Sequence, residues 1–261
     1  MIKYLSTRDN THTITSSQAI INGLAPDGGL YVPENPEDLK LDYHEVIQQD
    51  YPGMARTVFG KFFSDFDEET IEKVVSRSYT GKFSTEEITP LTKVEDAFVL
   101  ELYHGPTCAF KDVALQILPR FMARTTPADG DADEKIMIVT ATSGDTGKAA
   151  LAGFADAPGV GITVFYPEGK VSRVQELQMS TQEGANVAVC GVRGNFDDAQ
   201  TAVKQIFADR ELAELLSAQG VMLSSANSIN VGRLVPQVVY YFAAYAQLLR
   251  SGDISCGDEV E

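Results

Sequence analysis

Three short stretches of this 261-residue chain combine residue types that could do chemistry. In ELYHGPTCAFKDVALQILPRFMAR a strand pattern passes through a Gly105-Pro106 turn into an amphipathic helix pattern whose first turn holds Lys111. A cation there faces the positive end of the helix dipole, which lowers the amine pKa. An amine of suppressed basicity is what condensation with a carbonyl compound requires. A solvated lysine paired with Asp112 is the competing reading. His104 and Cys108 share the loop, but no third group orients them, so a packed histidine and a buried thiol are expected there rather than a nucleophilic pair.

The second stretch, IMIVTATSGDTGKAALAGFA, reads as a buried strand, a glycine turn and a helix. The backbone N–H groups of Ser143 to Lys148 then open that helix, where donors lack intrahelical partners and the dipole favours negative charge. Gly144 and Gly147 permit close approach, and the hydroxyls of Thr142, Ser143 and Thr146 add donors. A well-capped turn that binds nothing is the alternative. A nucleotide P-loop fails, because Thr142 stands in place of its first glycine and Ala149 in place of the Ser or Thr that reaches magnesium. GVGITVF at 159–165 lacks the third glycine of a dinucleotide fingerprint and precedes its strand.

The third stretch, VMLSSANSINVGRLVPQVVYYFAAYAQLLR, gives a strand, a polar turn and a long helix from about Val231. Asn227, Ser228 and Asn230 offer short polar side chains, with Arg233 beside them in the first helical turn. Arginine meets oxyanions through a fork of donors. Alternatively, Asn230 caps the helix and Arg233 lies on the surface. Tyr240, Tyr241, Phe242 and Tyr245 read as core and interface packing.

These stretches need a scaffold. Strand patterns at 98–103, 136–141, 162–166, 187–190 and 221–224 alternate with helical patterns near 110–124, 147–156, 171–182, 196–208, 210–218 and 231–250. That alternation predicts an α/β fold, doubly wound around a mostly parallel sheet, over residues 96–261. Ahead of it, residues 1–95 read as a small, mainly helical region: a turn-rich LAPDGGLYVPENPEDL, then helices over Tyr43 to Phe63 and Asp67 to Tyr79. The polar linker TTPADGDADE separates one helix from the next strand. All three chemical stretches fall at C-terminal ends of predicted parallel strands, where open α/β sheets bind ligands.

Composition narrows the partners. Lysine and arginine total 21 against 37 acidic residues, a net charge of −16, so long-range electrostatics disfavour nucleic acid and anionic membrane surfaces. No apolar run approaches the ~20 residues of a membrane-spanning helix. Cys108, Cys190 and Cys256 are scattered and odd in number, which suits a reducing cytoplasm and offers no metal-ligand spacing. The start, MIKYLSTRDN, has the character of neither a secretory signal nor a transit peptide. A cytoplasmic location is expected, and the oligomeric state is left open.

In order along the chain, NGLAPDGGLYVP (22–33), HGPTCAFKD (104–112), TATSGDTGKAA (140–150) and SSANSINVGRLVPQ (224–237) resemble threonine synthase. The resemblance implies the tryptophan-synthase-β-like fold, that of fold-type II pyridoxal-phosphate enzymes. It also implies a carbon–oxygen lyase that converts O-phosphohomoserine and water to threonine and phosphate. By the same resemblance Lys111 matches the lysine that condenses with pyridoxal 5'-phosphate. Ser143, Gly144, Asp145, Thr146 and Gly147 match the loop bordering the cofactor and receiving the substrate carboxylate, beside Thr142. Asn227, Ser228, Asn230 and Arg233 match the turn that holds the substrate phosphate, with Lys148 as a further contributor. Family members are longer, and two of their features are not found here: a GNFG-like loop for the cofactor phosphate and a hydroxyl partner for the pyridine nitrogen. The chain is therefore expected to be a fragment, incomplete at the C-terminus, that binds cofactor weakly, turns over negligibly alone and tends to associate. A serine or threonine dehydratase of the same fold is an alternative that the Asn227–Arg233 turn argues against, since its substrate carries no phosphate. An inactive threonine-synthase-like binding protein is another, against which Lys111 stands.

Overall fold

A computed structural model describes residues 1–125 and 135–260. The chain opens with β1 (Tyr4–Ser6), β2 (Thr13–Ile14), α1 (Ser16–Asn22) and β3 (Tyr31–Pro33). These strands form an antiparallel sheet in the order β2-β1-β3, an element the helical reading of this region lacked. Its strands are two or three residues long, too short to print a period-two pattern.

The helix expected over Tyr43 to Phe63 is two helices, α2 (Tyr43–Val46) and α3 (Tyr51–Phe62). Asp50 restarts it by accepting from Gly53 N at 2.8 Å, and Pro52 in the first turn has no N–H to continue the earlier ladder. Next comes α4 (Glu68–Tyr79), capped by Asp67.

Residues 98–103 do not join the parallel sheet. Instead β4 (Leu91–Val94) and β5 (Ala97–Leu100) pair antiparallel through a two-residue turn at Glu95 and Asp96, with Glu95 at φ 53°. The ribbon lies on the surface, leaving Val99 46% exposed. An apolar run without an Asn-Gly or Asp-Gly signal conceals such a hairpin. The expected helix 110–124 is likewise divided into α5 (Asp112–Leu115) and α6 (Leu118–Thr125), with Pro119 in the first turn of the second.

The central sheet comprises β6 (Lys135–Ala141), β7 (Val160–Pro167), β8 (Val187–Val192) and β9 (Val221–Ser224). All pairings are parallel, in the order β8-β7-β6-β9. The intervening helices are α7 (Asp145–Phe154), α8 (Arg173–Ser180), α9 (Phe196–Ala208) and α10 (Arg210–Ser217), and α11 (Val231–Ser251) follows β9. Alternate residues of β6 serve two cores. Ile136 and Ile138 join Ile162, Val164 and Leu151 in the main core, whereas Val139 and Ala141 meet Ala199 and Val203 of α9 on the other face. Both faces are thus covered, which is why these strands read as nearly continuous apolar runs. The main core continues into the N-terminal region, where Phe121 lies edge-on to Phe59 and Phe63 with centroids 5.6 and 5.1 Å away.

The order reverses at β6: β7 and β8 extend the sheet to one side and β9 to the other. The C-terminal ends of β6 and β9 therefore flank a topological switch point, the place where doubly wound sheets open a crevice. The linker residues 126–134 lie outside the described residues. Among the described residues no helix is long and apolar enough to cross a membrane.

Candidate active site

The turn after β6 and the turn after β9 leave adjacent strands, and Lys111 stands between them at the N-terminal boundary of α5. Its side chain is 16% exposed, and Nζ lies 3.5 Å from Asp145 Oδ2 and 4.8 Å from the Phe110 ring centroid. Burial lowers the amine pKa, Asp145 works against that, and the nearby Arg233 and Lys148 lower it further. The direction matches the expectation; the cause does not. α5 is a single turn, and the depression comes from desolvation and two neighbouring cations.

Nor is Lys111 paired with Asp112. That carboxylate is fully buried and accepts from Thr107 N at 2.9 Å and Thr107 Oγ1 at 2.7 Å. It folds the 105–109 loop back onto α5 and so aims the preceding residue into the crevice. Burial pushes its pKa up against those donors. His104 is held by Glu101 Oε2 and Ser84 Oγ at 2.8 and 2.7 Å. Cys108, expected to be buried, is exposed at φ 56° because the loop turns outward there.

In the SGDTG turn Thr142 is buried, and its Oγ1 accepts from Gly144 N and Gly147 N, both at 2.9 Å. Two N–H groups expected to meet a ligand are therefore engaged, and Thr142 shapes the turn rather than presenting its acceptor. The N–H groups of Ser143, Asp145 and Thr146, with the hydroxyls of Ser143 and Thr146, have no protein partner among the described residues. Gly144 sits at φ 136°, where an added Cβ would stand 2.3 Å from Gln175 Oε1, so both backbone and space demand glycine. Lys148 is buried, with Nζ 3.7 Å from Asp145 Oδ1. Burial would raise the Asp145 pKa, but the Gln175 amide and the two lysines outweigh it and hold the carboxyl below its ordinary value.

Gln175 was not singled out in the sequence. Its Nε2 donates to Asp145 Oδ1 at 2.7 Å while its Oε1 closes the capping box at the start of α8. The spacing of Ser172 and Gln175 marks a helix start; the contact with Asp145 spans thirty residues and leaves no local trace.

After β9, Asn230 is wholly buried and its amide is fully committed. Oδ1 caps Gly232 N at 2.8 Å, and Nδ2 donates to Ile20 O and Ser225 O at 2.9 and 3.0 Å. It braces the turn, as the capping alternative had it, and offers nothing to a ligand. Asn227 is half-buried and Ser228 exposed, with no side-chain hydrogen bond recorded for either. Arg233 is not on the surface. It is 3% exposed, donates from Nη1 to Ala226 O at 3.0 Å, has no carboxylate partner among the described residues, and leaves Nε without an acceptor. Burial presses its pKa down to about 10, so it remains charged at neutral pH.

Three cations, Lys111, Lys148 and Arg233, thus share a crevice with Asp145, next to unpaired backbone donors. Such a place holds an anion, and its one part-buried amine of lowered basicity can attack a carbonyl carbon.

The chain is similar to known proteins in sequence and in fold. Residues 3–79 match the family described as threonine synthase N terminus, and residues 83–242 match the family described as pyridoxal-phosphate dependent enzyme. Threonine synthase from Pseudomonas aeruginosa is 38% identical over 257 residues, covering 95% of this chain and 51% of that protein. Threonine synthase-like 1 from Homo sapiens is 38% identical over 256 residues, covering 94% of this chain and 34% of that protein. The crystal structure of PLP-bound threonine synthase from Brucella melitensis matches with a TM-score of 0.84 and 39% identity, over 98% of this chain and 53% of that one. The chain spans about half the length of these threonine synthases and a third of the human protein. It belongs to the family of pyridoxal-phosphate-dependent enzymes, with a match to the threonine synthase N terminus ahead of that region.

Proposed function

We propose that this chain supplies the lysine and the anion-receiving turns of a threonine synthase, which converts O-phosphohomoserine and water to threonine and phosphate. The observation that carries this reading is Arg233: a buried guanidinium without a carboxylate partner, with an unused Nε, close enough to Lys111 to depress its pKa. Burying an unpaired charge costs several kcal/mol, so such a residue is retained where an anionic ligand offsets that cost. A dehydratase substrate has no phosphate to do so.

The residues fit pyridoxal phosphate. Lys111 offers a part-buried amine that loses its proton more readily than a solvated lysine, and the donors of the 143–146 turn border it. When bound, that cofactor supplies an electron sink that stabilises negative charge on the substrate α-carbon. The protein's own part is positional and acid–base. Ser143, Asp145 and Thr146 N–H groups receive the substrate carboxylate. Lys111 Nζ would carry protons away from the α- and β-carbons and return one to the γ-carbon and, after water has added, one to the α-carbon. Arg233, with Lys148, would neutralise the phosphate as it leaves, and a water oxygen would then bond to the β-carbon, its released proton passing to the Lys111 amine. Asp145, fixed by Gln175, keeps the two lysines from repelling one another out of the crevice.

The test is an absorption titration with pyridoxal phosphate, followed by borohydride reduction and peptide mass mapping. A band at roughly 410–430 nm, as expected for lysine-bound cofactor, with the reduced adduct on Lys111 and neither in Lys111→Ala, is the expected result. A wild-type adduct confined to other lysines would overturn the assignment.

A further inference from the structure

A second cationic feature lies at the opposite end of the sheet from Lys111. α7 begins at Asp145 in the crevice and ends near a groove of about 550 Å³ between α4, α6 and the turn that precedes β7. Lys73, Arg77, Lys82, Arg120 and Arg124 line that groove, with Asp156 the one carboxylate among its described residues. The chain holds 21 lysines and arginines against a net charge of −16, so five in one groove is a local inversion of charge.

Structural duties account for part of it. Lys73 pairs with Glu69 one turn earlier on α4. Arg77 and Arg124 occupy the last turns of their helices, where a cation complements about half a negative charge at each helix end. Asp156 adds one carboxylate, whose Oδ1 already accepts from Ala185 N at 3.0 Å. Together these do not balance Arg77, Lys82, Arg120 and Arg124, none of which makes an ion pair among the described residues. Arg120 spends Nη1 on the Gln116 carbonyl, and burial with the neighbouring Arg77 lowers its pKa. Arg77 is near enough to Arg120 to lower its pKa, and among the described residues no carboxylate pairs with either, so an anion that met both would relieve their repulsion.

We propose that this groove binds a small polyanion carrying two or more linked phosphate groups. Its cations come from α4, the turn after it and α6, and the four without ion pairs among the described residues exceed the charge of one phosphate. The volume falls within the ~300–1,000 Å³ range of small-molecule sites. A nucleic acid is not the occupant, because the rest of the surface repels an extended polyanion.

Isothermal titration with inorganic triphosphate at low ionic strength tests this, with ATP as a second arm. Saturable binding that weakens with salt is expected, equal affinities assigning recognition to the phosphate chain and tighter ATP binding adding a nucleoside contact. Arg77→Gln with Arg120→Gln should weaken binding roughly tenfold or more per arginine. The exposed single variant Lys82→Gln should weaken it less, Lys73→Gln should change it little, and circular dichroism reports whether each variant folds. Binding should persist in Arg233→Met, which separates this groove from the crevice. No saturable binding by the wild type, undiminished binding in the folded double variant, or loss in Arg233→Met alone would each overturn the proposal.

Discussion

Replacing Arg233 with methionine should make the unliganded protein more stable while removing its response to a phosphorylated ligand. The guanidinium is 3% exposed, its Nε has no partner, and its one recorded bond runs from Nη1 to Ala226 O. An unsatisfied buried donor costs about 1–3 kcal/mol, and a hydrogen bond from a charged group returns about 1.5–3 kcal/mol. The desolvation of the charge remains, together with repulsion from Lys111. Methionine keeps most of the apolar stem and is flexible enough to fill the space. Exchanging a buried ionic group for packed apolar atoms stabilises other proteins by up to ~4 kcal/mol; here a gain of about 1–3 kcal/mol is expected. For a chain of this size that is a rise in Tm of about 2–4 °C per kcal/mol. Urea unfolding and thermal melts measure it, with and without O-phosphoserine. At a hundredfold excess over Kd the ligand should add about 2.7 kcal/mol to the wild type and nothing to the variant. If Arg233→Met were less stable than the wild type by 1 kcal/mol or more without ligand, the guanidinium would be a structural residue. The reasoning from an unpaired charge to an anion site would then fail.

Lys111 makes a prediction in pH. Its folded-state pKa lies below the ordinary 10.5, so between those two values the unfolded chain holds more protons, and its contribution to stability rises with pH. The stability difference between wild type and Lys111→Met should follow that rise, and a difference that is flat from neutral pH to about 10 would contradict the burial of the amine. At Gly153 in α7 an added Cβ would stand 1.9 Å from the Leu115 carbonyl oxygen. Gly153→Ala should therefore cost about 2–3 kcal/mol by urea unfolding as α7 and α5 are forced apart; a cost under 0.5 kcal/mol would show that the helices do not touch there. Tyr241 is 67% exposed beside Val238, Phe242 and Tyr245 on an open groove of α11, and an apolar surface of that kind promotes association. Sedimentation velocity should show concentration-dependent association, and a monomer across the micromolar range would refute it.

What the sequence disclosed divides along the range of the interactions involved. α9 and α11 could be placed almost to the residue, because apolar periodicity and caps such as Asn195 and Asn230 are written within a few positions. That the ligand-facing turns lie at the C-terminal ends of parallel strands followed, for those after β6 and β9, from the βα alternation; the strand order that makes them a switch point did not. The hairpin of β4 and β5, the sheet of β1, β2 and β3, and the breaks at Pro52 and Pro119 were hidden, since short strands and mid-pattern prolines carry little periodic signal. At the site, Lys111, the SGDTG turn and Arg233 were legible as residue types in suggestive places. Their partners were not. Thr142 and Asn230 looked like ligand-facing donors because a sequence shows which groups can form hydrogen bonds but not which are already committed; each proved to be bound to backbone.

The cause of the Lys111 shift shows how such a site is assembled. A helix dipole is a local effect, and it was the only one available from the chain order. What lowers the amine pKa is burial together with the convergence of residue 111, from the loop before α5, on residues 148 and 233, from the helices that follow β6 and β9. Each is delivered by backbone that is fixed independently: Asp112 folds the loop before α5, Thr142 closes the turn before α7, and Asn230 ties the start of α11 to α1. None of those braces needs to touch a ligand, yet displacing any of them would spread the cations and return Lys111 towards an ordinary lysine. A surface of charge −16 is no obstacle to anion binding at such a point, because exposed charges beyond a Debye length of about 8 Å are screened while partly buried cations in a crevice are not.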